Sequence, residues 1–186
     1  MQILNRVAEA WGNPNFTLPM TRQDPESGSA VGITEAENCP AEGLSSWATI
    51  SASEFVTGYT TSSGKQIRVE FVIAIDGRWE FIGNSLAGCA FLLGAPNSVG
   101  PGTIYRGAVS KQYGATTTPH LMAVTPFCWR DFEPLVTEDA FVTWLQLVPV
   151  TEAEANYCLN NGYAALDELF DREQPDLFSI DRVSAV

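Results

Sequence analysis

Imidazole is almost absent from this sequence: His120 is the one histidine, and the four cysteines, Cys39, Cys89, Cys128 and Cys158, stand far apart. No CxxC pair or finger spacing is present, so neither a zinc ribbon nor a dithiol redox centre is expected, and no metal or cofactor is. A nucleophilic enzyme needs a Ser or Cys beside a base, which leaves His120 with Cys128 as the only cysteine–histidine pair close in sequence. Pro126 interrupts the stretch between them, and a single His on an apolar strand reads more simply as a structural or edge residue. Basic residues are also scarce, with ten Lys and Arg against 22 Asp and Glu, for a formal net charge of −12. That balance argues against nucleic acid or an anionic membrane as partner. Long apolar runs are missing too: Ala140 to Val150 is the most apolar stretch, and it contains Thr143 and Gln146 and falls well short of the ~20 residues that cross a bilayer. Met1 to Trp11 carry Arg6 and no uninterrupted apolar run, so they do not read as a secretory leader. The expectation is a cytoplasmic protein with reduced thiols.

What the sequence does contain is apolar and aromatic mass. Of its 186 residues 45% are hydrophobic, with five Trp and ten Phe, enough for one sizeable core and short for two. A single domain over residues 1–186 is expected, with an N-terminal helix and acidic loop in 1–44 and a core in 45–186. The acids are unevenly spread. Residues 21–45 hold five acids and one base, residues 46–128 are near balance, and residues 129–186 hold twelve acids and three bases. A basic partner is electrostatically favoured, and Glu35, Glu37, Glu42, Asp131, Glu133, Glu138 and Asp139 form the candidate partner-binding set. The competing reading is that these acids only solvate the surface.

Periodicity places the elements. Ile3, Leu4, Val7, Ala8 and Trp11 recur at helical spacing, ended by Gly12, Asn13 and Pro14, and predict a short helix lying on the core as a lid. Thr21 to Leu44, rich in Gly, Pro, Ser and acids, predicts a long exposed loop. Ser46 to Val56 predicts a strand and Gly58 to Gly64 the turn that reverses it. In Ile67 to Ile75 the apolar Ile67, Val69, Phe71, Ile73 and Ile75 alternate with the rest, predicting a strand with one strongly buried face. Trp79, Ile82, Leu86, Ala90 and Leu93 predict a helix closed by Gly94 and Pro96. Its Gly83 and Gly88 have P-loop separation, but Cys89 and Ala90 stand where Lys and Ser or Thr are needed, so no phosphate clamp follows. Strands are predicted at Ile104–Tyr105, His120–Val124 and Phe141–Val150, with an irregular piece bounded by Pro126 and Pro134. Thr151 with Glu154 is a capping box that starts a helix near 152, and Asn160, Asn161 and Gly162 separate it from a second helix carrying Ala165, Leu166, Leu169 and Phe170. The order predicts an α+β domain with a mixed, mainly antiparallel sheet flanked by helices.

From about Ser45 onward these junctions resemble the Suppressor of fused family. VTWLQLVPVTEAEANYCLNNGYAALDELF followed by LFSIDRVS is similar to its closing signature, with a strand, a capped helix, a Gly-broken helix and an Asp-Arg-x-Ser tail. RVEFVIAI, RWEFIGNSLAGCAFLL and HLMAVTP fall where the family has corresponding elements, whereas residues 1–44 carry none of the resemblance. The resemblance implies a Suppressor of fused-like fold and a non-enzymatic binding protein. Bacterial members resemble immunity proteins encoded beside toxins, and animal members sequester a transcription factor through a Tyr and an Asp. Cys89 and Thr103 occupy those two places here, so the animal ligand is not implied. The leading expectation is an immunity protein that blocks a cognate, basic toxin by tight one-to-one association. The alternative is a scaffold or regulator of an endogenous protein, and a Cys/His hydrolase ranks last. Arg182 of the tail reads either as a ligand contact or as a fork that pairs a carboxylate or free carbonyls and pins the C-terminus.

Overall fold

The computed structural model describes residues 2–12, 15–96, 98–129 and 132–186. Its elements are α1 (Gln2–Ala10), β1 (Met20–Gln23), β2 (Ala30–Glu37), β3 (Leu44–Thr49), a 3-10 turn (Ala52–Glu54), β4 (Gln66–Asp76) and α2 (Ile82–Ala90). There follow β5 (Ile104–Tyr105), α3 (Ser110–Tyr113), β6 (His120–Val124), β7 (Leu135–Val136), β8 (Ala140–Val150), α4 (Glu152–Asn161) and α5 (Tyr163–Glu173). The strands form one sheet in the order β1-β2-β3-β4-β8-β6-β5, with β7 paired to β8. Every pairing is antiparallel except β4 with β8, so the sheet is mixed and mainly antiparallel, as the pattern of elements predicts.

The central strands are apolar on both faces, which is why helices cover both. Val69, Phe71, Ile73 and Ile75 of β4 pack with Leu145 and Leu147 of β8 and with Ile82, Leu86 and Ala90 of α2. On the other face Val72 and Trp144 pack with Val7 and with Trp11, just past α1, while Met122, Val124, Val148 and Val150 pack with α4 and α5 through Ala155, Cys158, Leu166, Leu169 and Phe170. The expectation of a single buried face for β4 is therefore too narrow. Even Glu70, at an intervening position, has no exposed surface.

Two further expectations are corrected. The segment Thr21 to Leu44 is not a long loop: β1 and β2 form a hairpin that extends the sheet. The alternation in β2 is short: Val31 and Ile33 face one cluster, then Glu35 takes that parity while the buried Ala36 lies on the other face. Gly32 stays small because Cγ1 of Ile50 lies 2.9 Å from where its Cβ would stand, and Thr34 donates its hydroxyl to the carbonyl of Thr17. The strand expected over Ser46 to Val56 ends at Thr49, where the chain turns through the 3-10 segment that Glu70 holds. The N-terminal helix forms, and Gly12 leaves it at φ +80°. The Asn13 and Pro14 part of its stop signal lies outside the described residues.

Candidate functional site

The acids singled out from sequence do not share one surface. Glu35 and Glu37 sit at the end of β2, which register places next to the start of β3 and the end of β4, and Glu42 is exposed in the β2–β3 turn. Glu138 and Asp139 precede β8, which pairs in parallel with the start of β4. The two groups thus flank opposite ends of an eleven-residue strand, roughly 33 Å apart at ~3.3 Å per residue. Glu133 is exposed and lies 3.9 Å from Arg6 of α1. Asp131 lies outside the described residues.

The two ends differ in charge. Beside Glu138 and Asp139, Lys65 and Arg68 line the same hollow, and the Lys65 ammonium donates to the backbone carbonyls of Thr137 and Glu138 at 2.5 and 2.7 Å. The β2 end carries Glu35, Glu37 and Glu80 around a hollow of about 470 Å³ that no base among the described residues lines. Burial pushes the Glu35 carboxyl up, and the like charges of Glu37 and Glu80 add to the rise.

His120 and Cys128 have separate partners. His120 is buried; its Nδ1 accepts the Gly107 N–H at 2.9 Å and its Nε2 meets Glu152 at 2.6 Å, so both ring nitrogens are engaged. Arg106 reaches the same Glu152 at 2.8 Å, and hydrogen bonds from His120 and then Arg106 hold its carboxyl down at about 2. Cys128 lies beyond the other end of β6 and takes a hydrogen bond from Gln146 at 2.8 Å. Burial pushes its thiol up to about 11, which is opposite to what a nucleophile needs. All four cysteines are free thiols, and no group of three His, Cys, Asp or Glu capable of holding a metal occurs among the described residues. Among the described residues no helix is long and apolar enough to cross a membrane.

Arg182 is a clasp. Its fork binds both oxygens of Glu154 at 2.6 and 2.8 Å and also donates to the carbonyls of Pro149 and Val183. Its guanidinium lies 5.7 Å from the Phe170 ring. Glu154 in turn accepts the backbone N–H groups of Thr151 and Ala185 and completes the capping box of α4. Of the two readings of Arg182, the geometry shows the one that pins the C-terminus.

One surface feature escaped the sequence reading. Between the segment after β6 and the C-terminal end of α5 lies an apolar groove of about 680 Å³. Val124, Val148, Phe170, Leu177 and Phe178 form its walls, Phe127 stands at its mouth 54% exposed, and Asp167, Asp171 and Asp176 line its rim. Asp167 and Asp171, four residues apart on α5, were legible as one helix face; their convergence with Phe127 is set by tertiary packing. Cys89 is buried within α2.

Comparison with known proteins follows the same lines. The model of the Suppressor of fused protein (SUFU) family matches residues 27–183, starting in the β1–β2 turn and so earlier than the sequence motifs. Immunity protein YqcF of Bacillus subtilis (strain 168) is 31% identical over 165 residues, covering 88% of this chain and 85% of its own. A solved Suppressor of fused homologue from Neisseria gonorrhoeae FA 1090 matches with a TM-score of 0.70 at 15% identity, covering 99% of this chain and 94% of its own. A chain of the Sufu–Fu complex matches with a TM-score of 0.66 at 12% identity, over 99% and 91%.

Proposed function

The chain belongs to the Suppressor of fused protein family, and on that premise we propose that it is a non-catalytic immunity protein that neutralises a cognate toxin by one-to-one binding. The observation that carries this reading is the 31% identity to an immunity protein across 88% of the chain. The engaged ring of His120 and the raised thiol of Cys128 agree with action by coverage instead of catalysis. The site of action proposed is the cytoplasm, and the partner proposed is basic, because opposite fields speed encounter with a chain of net charge −12.

The test is capture and rescue. The tagged chain, expressed in its native host, should retain one polypeptide that arrests growth when expressed alone and is harmless when the chain is co-expressed. Unrelated toxins should remain lethal. If the retained polypeptide is a harmless endogenous protein, the immunity reading gives way to that of a scaffold or regulator.

A further inference from the structure

We propose that the apolar groove between Phe127 and the C-terminal end of α5 seats a segment of the toxin in which an apolar or aromatic side chain is flanked by Arg or Lys. The proposal rests on the toxin-neutralising reading and names the surface and the chemistry through which it acts.

Several features of the groove converge on that occupant. Its walls are side chains of the core itself: Phe170 packs in the cluster under α4 and α5, and Val124 and Val148 are neighbouring residues of β6 and β8. They form a rigid floor that needs no rearrangement to receive a side chain, which limits the cost of ordering on binding. Phe127 is one of eleven large apolar residues exposed among the described residues, and its backbone N–H donates to the buried Gln146 at 2.9 Å, which ties the segment carrying the ring to the sheet beside the groove. An aromatic side chain at the edge of a preformed apolar pocket is the composition of an interface anchor.

Charge then selects what flanks the inserted group. Asp167, Asp171 and Asp176 line the rim, and no base among the described residues does. The nearby Arg172 is paired with Glu173 at 2.9 Å. An acidic segment would meet three carboxylates that form no salt bridge among the described residues, whereas a basic one would pair with them while its apolar side chain enters the groove. The two other acidic hollows lack this combination. The one beside Glu138 and Asp139 contains its own Lys65 and Arg68, and the one beside Glu35 and Glu37 has no large aromatic side chain in its lining.

The direct test titrates the isotopically labelled protein with two synthetic decapeptides that share a central Leu-Phe pair, one flanked by arginines and the other by glutamates. The arginine-flanked peptide should bind saturably, shift the amides of Phe127, Phe170, Leu177 and Phe178, and weaken as salt shortens the Debye length. The glutamate-flanked peptide should not bind. Phe127→Ala and the pair Asp167→Lys with Asp171→Lys should each weaken binding about tenfold or more without changing the thermal midpoint. If the double charge reversal does not fold, the exposed Phe127→Ala decides alone. Absence of saturable binding, equal binding of both peptides, or shifts confined to another surface overturns the proposal. So does self-association through the groove without peptide. The toxin itself separates the two levels of the argument. Phe127→Ala that protects cells as well as the parent chain removes the groove and leaves the immunity reading intact, while a parent chain that protects against nothing removes the immunity reading.

Discussion

Glu70 and Glu154 are both fully buried carboxylates, and they differ in what offsets their burial. Glu70 has no cation: it accepts the hydroxyls of Thr49 and Ser53 and the backbone N–H groups of Ala52 and Ser53. Burial outweighs those four donors and leaves its carboxyl above the ordinary value. Glu154 is buried as well, which works to raise it, but Arg182 and the N–H groups of Ala185 and Thr151 prevail and hold it below the ordinary value. The consequences for stability have opposite signs. A raised carboxyl opposes folding as pH climbs from its ordinary value through the raised one. A lowered carboxyl supports folding above its ordinary value, and that support is lost as pH falls through the lowered one. Glu154→Gln therefore should cost about 3–5 kcal/mol at neutral pH, because Arg182 is left buried without its counter-charge, and should flatten the loss of stability on acidification. Denaturant titrations at pH 7 and pH 4 check both; an unchanged midpoint at pH 7 would contradict the clasp. The sequence disclosed half of this. The capping-box spacing of Thr151 and Glu154 pointed to the backbone bonds, and the tail position of Arg182 to a carboxylate partner. That the partner is this same glutamate is a long-range fact that no local pattern records. The burial of Glu70 was not legible because a strand with alternate apolar residues normally faces water on its other side, and here helices cover both sides.

At the scale of elements, local pattern worked where one face of an element is uniformly apolar and failed where small or polar residues fill the buried positions. β4, β6, β8, α2, α4 and α5 all form where spacing and caps indicate. β1 is four residues long and β2 loses its apolar alternation at Glu35, and β7 and α3 are too short to show a period. The packing of α2 on the sheet supplies a sharp check. A Cβ on Gly83 would fall 2.7 Å from the Trp47 ring on β3, so the glycine spaced like a phosphate-loop residue serves helix–sheet approach. Gly83→Ala should cost about 1–3 kcal/mol by forcing the helix or the indole to move, with a blue- or red-shifted Trp emission reporting the change. Full stability would show that α2 does not lie this close to β3. The groove shows the same limit of legibility: its acids are visible at helical spacing in α5, whereas its walls come from β6, β8 and the segment after α5.

For the molecule as a whole, the charge of −12 is divided among separate surfaces of one continuous sheet-and-helix unit. Glu35 and Glu37 lie at one end of β4, Glu138 and Asp139 at the other, and the α5 acids border the groove. On the function proposed above, charge spread in this way would supply a long-range field that steers a basic partner, while the contact itself would be local. An inhibitor of the proposed kind would act once per molecule. The decisive measurement is a titration of the captured toxin's activity with increasing amounts of the purified chain, at toxin concentrations well above the dissociation constant. The account predicts that activity falls linearly and reaches zero at one equivalent, with a complex of one-to-one mass. Loss of activity at a small fraction of an equivalent, continuing with time, would mean that the chain turns over its partner as an enzyme and would contradict the account.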